Sequence, residues 1–278
     1  MRLCFTKMQA TGNDFIVVDR RDGGAPLAPD LVRRLCARHT GIGADGVLSV
    51  WPEAGVAARM QLQNADGSDS DMCGNGLRCV ALFAELHGFV PFGQNPLRVA
   101  AGRGVYTIEP TAPSRYRVSM GAPRGDDASL PSWAASRAEH MVTPAAPDLV
   151  GLAVSFGNPH LVLHRIADPM GLARRFGSEL EHHPEFPQRA NVSFAQATST
   201  GFHAVVHERG VGITQACGSG ACAIGVTAVW QGLWPRGRAM EVALPGGVLS
   251  ICVGDGDRVT MEGDAAVVFH GQFEPSVR

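Results

Sequence analysis

The chain repeats itself, and no other feature narrows its possible folds as much. Gly12-Asn13 recurs as Gly157-Asn158, and Cys73-Gly74-Asn75-Gly76 recurs as Cys217-Gly218-Ser219-Gly220. Val99-Ala100 with Gly104-Val105 finds Val242-Ala243 with Gly247-Val248, and Arg117-Val118-Ser119-Met120 finds Arg258-Val259-Thr260-Met261. Nine residues before each CGxG cysteine stands a polar residue, Asn64 in one half and Glu208 in the other. The matches keep their order while the offset drifts only from 145 to 141. Chance pairing of short glycine motifs explains one or two such matches but not a series, and a fixed period of this kind marks copies of one structural unit.

Two units of roughly 140 residues each suit a chain of 278. The expected division is residues 1–120 with 265–278 as one unit and 121–264 as the other. The stretch 121–150, rich in Pro, Ala and Ser, has no counterpart in the other half and reads as a surface connection. Strand-like runs (Phe15–Asp19; Val154–Phe156 leading to Leu161–Leu163) precede each CGxG motif. A helical run follows it, Gly76–Leu86 in one copy and Ala221–Gly232 in the other, and then short β segments such as Gly104–Ile108 and Val248–Val253. Strands do not alternate regularly with long helices, so a doubly wound parallel sheet is disfavoured. The expected class is α+β: two pseudo-symmetric units, each a curved, mostly antiparallel sheet around one central helix, with a site in the cleft between them. The uncharged stretch from Gly210 to Pro235 contains only about a dozen apolar helical residues, too few for a bilayer that needs ~20. A helix apolar all round is then a buried one.

Composition removes several function classes. With 24 basic and 26 acidic residues there is no electrostatic footprint for nucleic acid or an anionic membrane. Residues Met1–Phe15 form no signal-peptide apolar core, so a cytoplasmic protein is expected. Seven dispersed cysteines without a C-x-x-C pair fit neither a disulfide scaffold nor structural zinc. Lys7 is the single lysine, and a pyridoxal enzyme would have to form its Schiff base there. No cofactor and no metal are expected.

The duplicated CGxG motifs carry the chemistry. Glycines at a helix start let a ligand approach the backbone. The first amides of a helix lack internal acceptors, and the helix dipole favours negative charge there. The amides of Gly74, Asn75, Gly218 and Ser219 are therefore candidates to hold a carboxylate, and a cysteine in that place is favoured as thiolate. Two such starts facing each other would set two cysteines on opposite sides of one small molecule. One thiolate would remove an α-proton while the other thiol delivers a proton to the opposite face, and the pair would titrate as a coupled system. The amides would stabilise the charge that develops on the carboxylate. A single CGxG reads more readily as a glycine turn before a helix with a buried cysteine; the duplicated pair reads as an acid/base pair. A rival match is Gly218-Ser219-Gly220-Ala221-Cys222-Ala223 to the loose dinucleotide pattern G-x-G-x-x-A, which would make the chain a nicotinamide-binding oxidoreductase. Its acidic partner Glu241 opens a strand where the pattern wants one closing it, and the pattern calls for neither a preceding cysteine nor a duplicate.

With these residues in view, the chain resembles the diaminopimelate epimerase family over nearly its whole length. The stretches that carry the resemblance are Thr11–Phe15, Gly41–Asp45, Asn64–Ser68, Met72–Cys79, Gly157–His160, Arg189–Asn191, Glu208–Gly210 and Thr214–Cys222. The resemblance implies an isomerase of lysine and peptidoglycan precursor biosynthesis, converting L,L- to meso-diaminopimelate as a cofactor-independent homodimer. It implies Cys73 and Cys217 as the acid/base pair, with His160 and Glu208 assisting them. It also implies Asn13, Asn64, Asn158 and Asn191 as substrate-binding residues, and Glu208 with Arg209 as partners of the distal amino and carboxylate groups. Without the resemblance, a lone His after Asn-Pro reads as structural. Three positions depart from the family pattern: Ile213 where Glu is usual, His207 in place of an aromatic, and Gly46 in place of a glutamine. They leave a related racemase for another amino acid, histidine for example, as the alternative substrate reading. A catalytically silent binding protein on the same scaffold is the alternative from a different class.

Overall fold

Period-two alternation of buried and exposed residues builds strands through most of the chain, as in Arg115–Gly121 and Gly247–Val253. The structure is a computed structural model that describes residues 2–70, 72–91, 93–102, 104–125 and 127–274. One unit takes the chain up to Val118 and again from Glu262; the other spans Ser119–Met261.

In the first unit the strands are β1 (Leu3–Ala10), β2 (Asn13–Asp19), β3 (Gly46–Trp51), β4 (Ala58–Asn64), β5 (Asp69–Ser70), β6 (Leu97–Ala101), β7 (Gly104–Ala112) and β8 (Arg115–Gly121). Helix α1 (Pro29–Cys36) lies between β2 and β3, and α2 (Gly74–Leu86) between β5 and β6. Pairing is antiparallel for β1–β2, β3–β4, β4–β5, β6–β7 and β7–β8. It is parallel for β2–β3 and β4–β6, the two joints that a helix crosses. The second unit repeats this. Its strands are β9 (His140–Met141), β10 (Val150–Ser155), β11 (Pro159–Leu163), β12 (Asn191–Ala197), β13 (Gly201–Glu208), β14 (Gly212–Ile213), β15 (Met240–Leu244), β16 (Gly247–Val253) and β17 (Val259–Asp264). Helix α3 (Pro169–Glu181) crosses the parallel joint β11–β12, and α4 (Gly218–Trp230) crosses β13–β15. The last strand, β18 (Ala266–Phe273), pairs antiparallel with β1 in the first unit.

Three features differ from the sequence expectation. Each unit has a second helix, α1 or α3, where only one was expected. Both open on a proline at the first helical turn, where a missing N–H costs nothing. Val32 and Leu35 of α1 pack with Ile16, Val18 and Val47, and Phe176 and Leu180 of α3 pack with Phe194 and Val205. The CGxG helices also begin earlier than Gly76 and Ala221, because the cysteines themselves are the N-caps. The stretch 121–150 is not wholly on the surface: Ser129, Val142 and Thr143 are buried, and a 3₁₀ turn spans Ser132–Ser136.

Helices α2 and α4 are the cores of their units. Every residue of α2 from Gly74 to Ala84 is buried, as are ten residues of α4. Burial at about 1.5–3 kcal/mol per large apolar side chain over Leu77, Val80 and Phe83 anchors α2, so the cysteine at its start sits on a rigid support. No helix of the described residues is long and apolar enough to cross a membrane.

Candidate active site

In the first unit the β1–β2 turn delivers an asparagine to the start of α2. Gly12 takes φ 77°, a left-handed conformation suited to glycine, and the next residue, Asn13, opens β2. Cys73 caps α2 with extended backbone, and its Sγ donates to Asn13 Oδ1 at 3.7 Å. Asn75 Nδ2 donates to the same oxygen at 3.2 Å. Asn13 Nδ2 in turn donates to Asp45 Oδ2 at 2.7 Å. Arg78, wholly buried, donates through Nη2 to Asn75 Oδ1 and to Thr11 Oγ1, both at 2.9 Å. Asp45 is ion-paired with Arg38 at 2.6 Å. Burial alone would raise the Asp14 carboxyl, but Arg38 and Lys7 outweigh it and hold the group below the usual carboxylate range. Lys7 is buried and spends its ammonium on Asp14 and on the Gly43 carbonyl, so the single lysine is committed to the frame. Asn64 ends β4 and donates to Ser68 Oγ at 3.0 Å, within its own turn.

In the second unit Gly157 (φ 93°) makes the corresponding turn, and Asn158 reaches the start of α4. Cys217 caps α4, and its Sγ accepts the Gly220 N–H at 3.3 Å and lies 3.6 Å from Ser219 Oγ. Asn158 Nδ2 donates to Ser219 Oγ at 3.4 Å, and His160 Nε2 lies 3.1 Å from Asn158 Oδ1. Burial of His160 pushes its pKa down to about 3, with Arg209 adding to the shift, so the ring is neutral at physiological pH. Asn191, first in β12, spends its side chain on the backbone: Nδ2 donates to the Pro159 carbonyl at 3.1 Å and Oδ1 accepts from Arg209 N–H at 3.0 Å. Glu208 ends β13 and accepts from Thr214 Oγ1 at 2.5 Å. Buried Glu181, last in α3, accepts from Gly210 N–H at 2.8 Å and pairs with Arg189 at 3.1 Å, bracing the turn that carries Glu208 and Arg209.

The structure thus brings Asn13, Gly74 and Asn75 around Cys73, and His160, Asn158, Gly218 and Ser219 around Cys217. Asn64 and Glu208 occupy matching strand ends, one in each unit. Sequence reasoning passed over Thr11, Asp45 and Arg78 in the first unit and Glu181 and Thr214 in the second. Asp45 and Arg78 stood inside or beside recognised motifs; Glu181 lies on a helix that was not foreseen. Among the described residues, no group of three or more His, Cys, Asp or Glu is arranged to hold a metal ion. A cavity of about 530 Å³ in the first unit, lined by Phe5, Thr6, Asp19, Phe83, His87 and His270, lies at the far end of α2 from Cys73.

Among solved structures, the fold is shared with a probable proline racemase from Agrobacterium radiobacter K84 (TM-score 0.74, 14% identity, covering 99% of this chain and 93% of that one). It is shared too with a Bacillus anthracis phenazine biosynthesis protein of the PhzF family (TM-score 0.72, 13% identity, covering 99% of both chains). At these identities the likeness shows the fold alone, a class of two-unit chain that here carries a cysteine cap on the buried helix of each unit. The family model for diaminopimelate epimerase matches residues 5–125 and 152–268. A diaminopimelate epimerase of Desulforudis audaxviator is 42% identical, covering 97% of this chain and 98% of the relative. That of Synechocystis sp. is 41% identical, covering 99% of this chain and 100% of the relative. The chain belongs to the diaminopimelate epimerase family.

Proposed function

We propose that this protein inverts the α-carbon of L,L-diaminopimelate to give the meso isomer, with Cys73 and Cys217 as the acid/base pair on opposite faces of one stereocentre. The observation that carries the reading is that each cysteine is the N-cap of a buried, glycine-started helix, in two copies of one fold. In each copy the first helical amides lack internal acceptors and are suited to a carboxylate. The α-proton passes to one thiolate, the carbanion is held through its carboxylate by those amides, and the other thiol returns a proton from the opposite side. Asn13, Asn64, Asn75, Asn158, Asn191 and Ser219 supply amide and hydroxyl partners, and Glu208 and Arg209 meet the charges of the distal end. His160 and Glu208 assist the cysteines. The scheme uses no cofactor. It includes a homodimer working in the cytoplasm on a small-molecule substrate.

The test is incubation of the purified protein with L,L-diaminopimelate in heavy water without added cofactor. Solvent deuterium at Cα and formation of the meso isomer are expected, and Cys73→Ala and Cys217→Ala each abolish both. Exchange at the wild-type rate in either variant overturns the pair assignment. Exchange into histidine or another amino acid instead of diaminopimelate transfers the mechanism to a different substrate, for which the departures at His207, Ile213 and Gly46 would then account.

A further inference from the structure

Matching strand ends carry different chemistry in the two units. Asn64 closes β4 and Glu208 closes β13, at the offset of 144 that also separates Cys73 from Cys217. An ionised carboxylate presents the same kind of atom whichever way it turns. An amide does not: half a rotation exchanges a donor for an acceptor, and with it the sign of the partial charge that a ligand meets. The same offset carries Asp66 onto Gly210 and Ser68 onto Gly212. Side chains able to orient a neighbour thus stand in the turn after the amide, and glycines stand in the turn after the carboxylate.

The hydrogen bonds of the first turn run one way. Ser68 Oγ donates to Asp66 Oδ1 at 2.6 Å, and the Ser68 N–H donates to the same oxygen at 2.8 Å. The hydroxyl and then the amide hold the Asp66 carboxyl below the usual carboxylate range. A carboxylate only accepts, so the hydroxyl hydrogen is committed to Asp66 and Ser68 Oγ is left as an acceptor. Asn64 therefore turns its Nδ2 toward Ser68 Oγ, at 3.0 Å, and its side chain has no other hydrogen-bond partner among the described residues. Oδ1 and the second Nδ2 hydrogen stay open. The backbone of the turn is held by other bonds. Asn64 N–H donates to the Ser68 carbonyl at 2.8 Å, Gly67 N–H to the Asn64 carbonyl at 2.9 Å and Ala65 N–H to the Asp45 carbonyl at 3.1 Å. Arg33 Nη1 of α1 donates to the Asp66 carbonyl at 2.9 Å. The Ser68 hydroxyl orients the amide and is not needed to build the turn.

We infer that Ser68 and Asp66 are positioning residues that fix the Asn64 amide, so that its acceptor and its free donor meet the charged groups of the substrate in a set order. This rests on the reading above, in which Asn64 binds substrate. An ammonium group pairs with Oδ1, and a carboxylate oxygen pairs with the free N–H. A flipped amide sets donor against ammonium and acceptor against carboxylate, so each wrong orientation loses both bonds. In the second unit a carboxylate at the same strand end needs no such device, and glycines serve at positions 210 and 212.

The experiment joins NMR of the substrate-free protein to a double-mutant cycle read in KM for L,L-diaminopimelate. The Asn64 side-chain amide is assigned by its disappearance in Asn64→Ala. In the wild type its Nδ2 protons are expected to show nuclear Overhauser contacts to the Ser68 Hβ protons, and Ser68→Ala and Asp66→Ala each to weaken them. Ser68→Ala should raise KM about fivefold, the effect of one hydrogen bond, with kcat nearly constant. Asp66→Ala keeps the hydroxyl but removes its acceptor, and gives a similar rise. Ser68→Thr and Asp66→Asn, which restore the hydroxyl and the acceptor oxygen, return KM to the wild-type value. In the Asn64→Ala background Ser68→Ala should add nothing, because coupled residues are not additive. A fivefold rise from Ser68→Ala in that background too would make its role merely structural and overturn the inference, as would a wild-type amide with Oδ1 toward Ser68. The NMR arm uses no substrate, so it decides the amide orientation even where L,L-diaminopimelate is not turned over. Absence of turnover sinks the proposed function, and additivity or a flipped amide sinks this assignment alone.

Discussion

His160 lies wholly buried with Nε2 3.1 Å from Asn158 Oδ1, and its other ring nitrogen, Nδ1, has no hydrogen-bond partner among the described residues. The ring is therefore kept neutral by burial, and a cost in acid follows. The folded-state pKa is depressed to about 3, and that of His164, also buried, to about 4. The unfolded chain takes up these protons near the ordinary value of ~6.5. Below that pH the unfolded state binds more protons, so stability is complete above it and falls as pH drops. Between pH 7 and 5 each histidine is expected to cost about 2 kcal/mol. Urea denaturation at the two pH values measures the loss, and His160→Gln reduces the slope by about one proton.

Gly220 approaches its own cap closely. A Cβ there would stand 3.2 Å from Cys217 Sγ and 3.2 Å from Val206 Cγ2, tighter than ordinary van der Waals contact. Gly220→Ala is expected to displace the thiol and disturb the 3.3 Å amide bond to it. Misplacement of a reacting group by about 1 Å costs on the order of a hundredfold, while overpacking costs about 1–3 kcal/mol of stability. Deuterium exchange at Cα should fall far more than the melting temperature. A variant with wild-type exchange would show that the cap has room to shift.

The buried character of α2 and α4 and the helix starts at the two cysteines were legible because each depends on residues close together in sequence. Gly12-Asn13 and Gly157-Asn158 announce a turn, and the CGxG runs announce a helix start. What could not be read was the set of contacts that sheet register creates. Asp45 reaches Asn13 only because β2 and β3 run parallel with Phe15 opposite Gly46. His160 reads alone as a core histidine, and its bearing on Cys217 passes through Asn158 and Ser219, which are brought together only by the fold. Helix α1 escaped notice because eight residues give barely two turns of periodicity.

Glu181 braces the turn that carries Glu208 and Arg209 from below. Its Oε1 accepts both the Gly210 N–H and Arg189, and its Oε2 lies 3.5 Å from His207 Nδ1. Glu181→Gln keeps the shape but weakens a charge-assisted pair worth about 1.5–3 kcal/mol. The turn binds the distal end of the substrate in the proposed scheme, so the loss falls on ground-state and transition-state binding alike. KM for L,L-diaminopimelate is expected to rise about tenfold with kcat nearly constant. Steady-state kinetics separates the two, and a fall in kcat at unchanged KM would place Glu181 in the chemistry instead.

Asp168 supplies the converse case, a residue whose removal should touch stability and leave the chemistry alone. Its Oδ1 accepts the Gly171 N–H at 2.9 Å and caps α3, with Pro169 occupying the position where no donor is needed. Asp168→Ala leaves that amide without its partner and is expected to cost about 1 kcal/mol. Helix α3 bears on the turn that carries Glu208 and Arg209 through Glu181 at its other end, thirteen residues on, and the packing of Phe176 and Leu180 holds that end independently of the cap. The denaturation midpoint should therefore fall while KM and the rate of Cα exchange remain at wild-type values. A rise in KM comparable with that of Glu181→Gln would mean that α3 transmits fraying along its whole length, and that its packed face does not isolate the site from its cap.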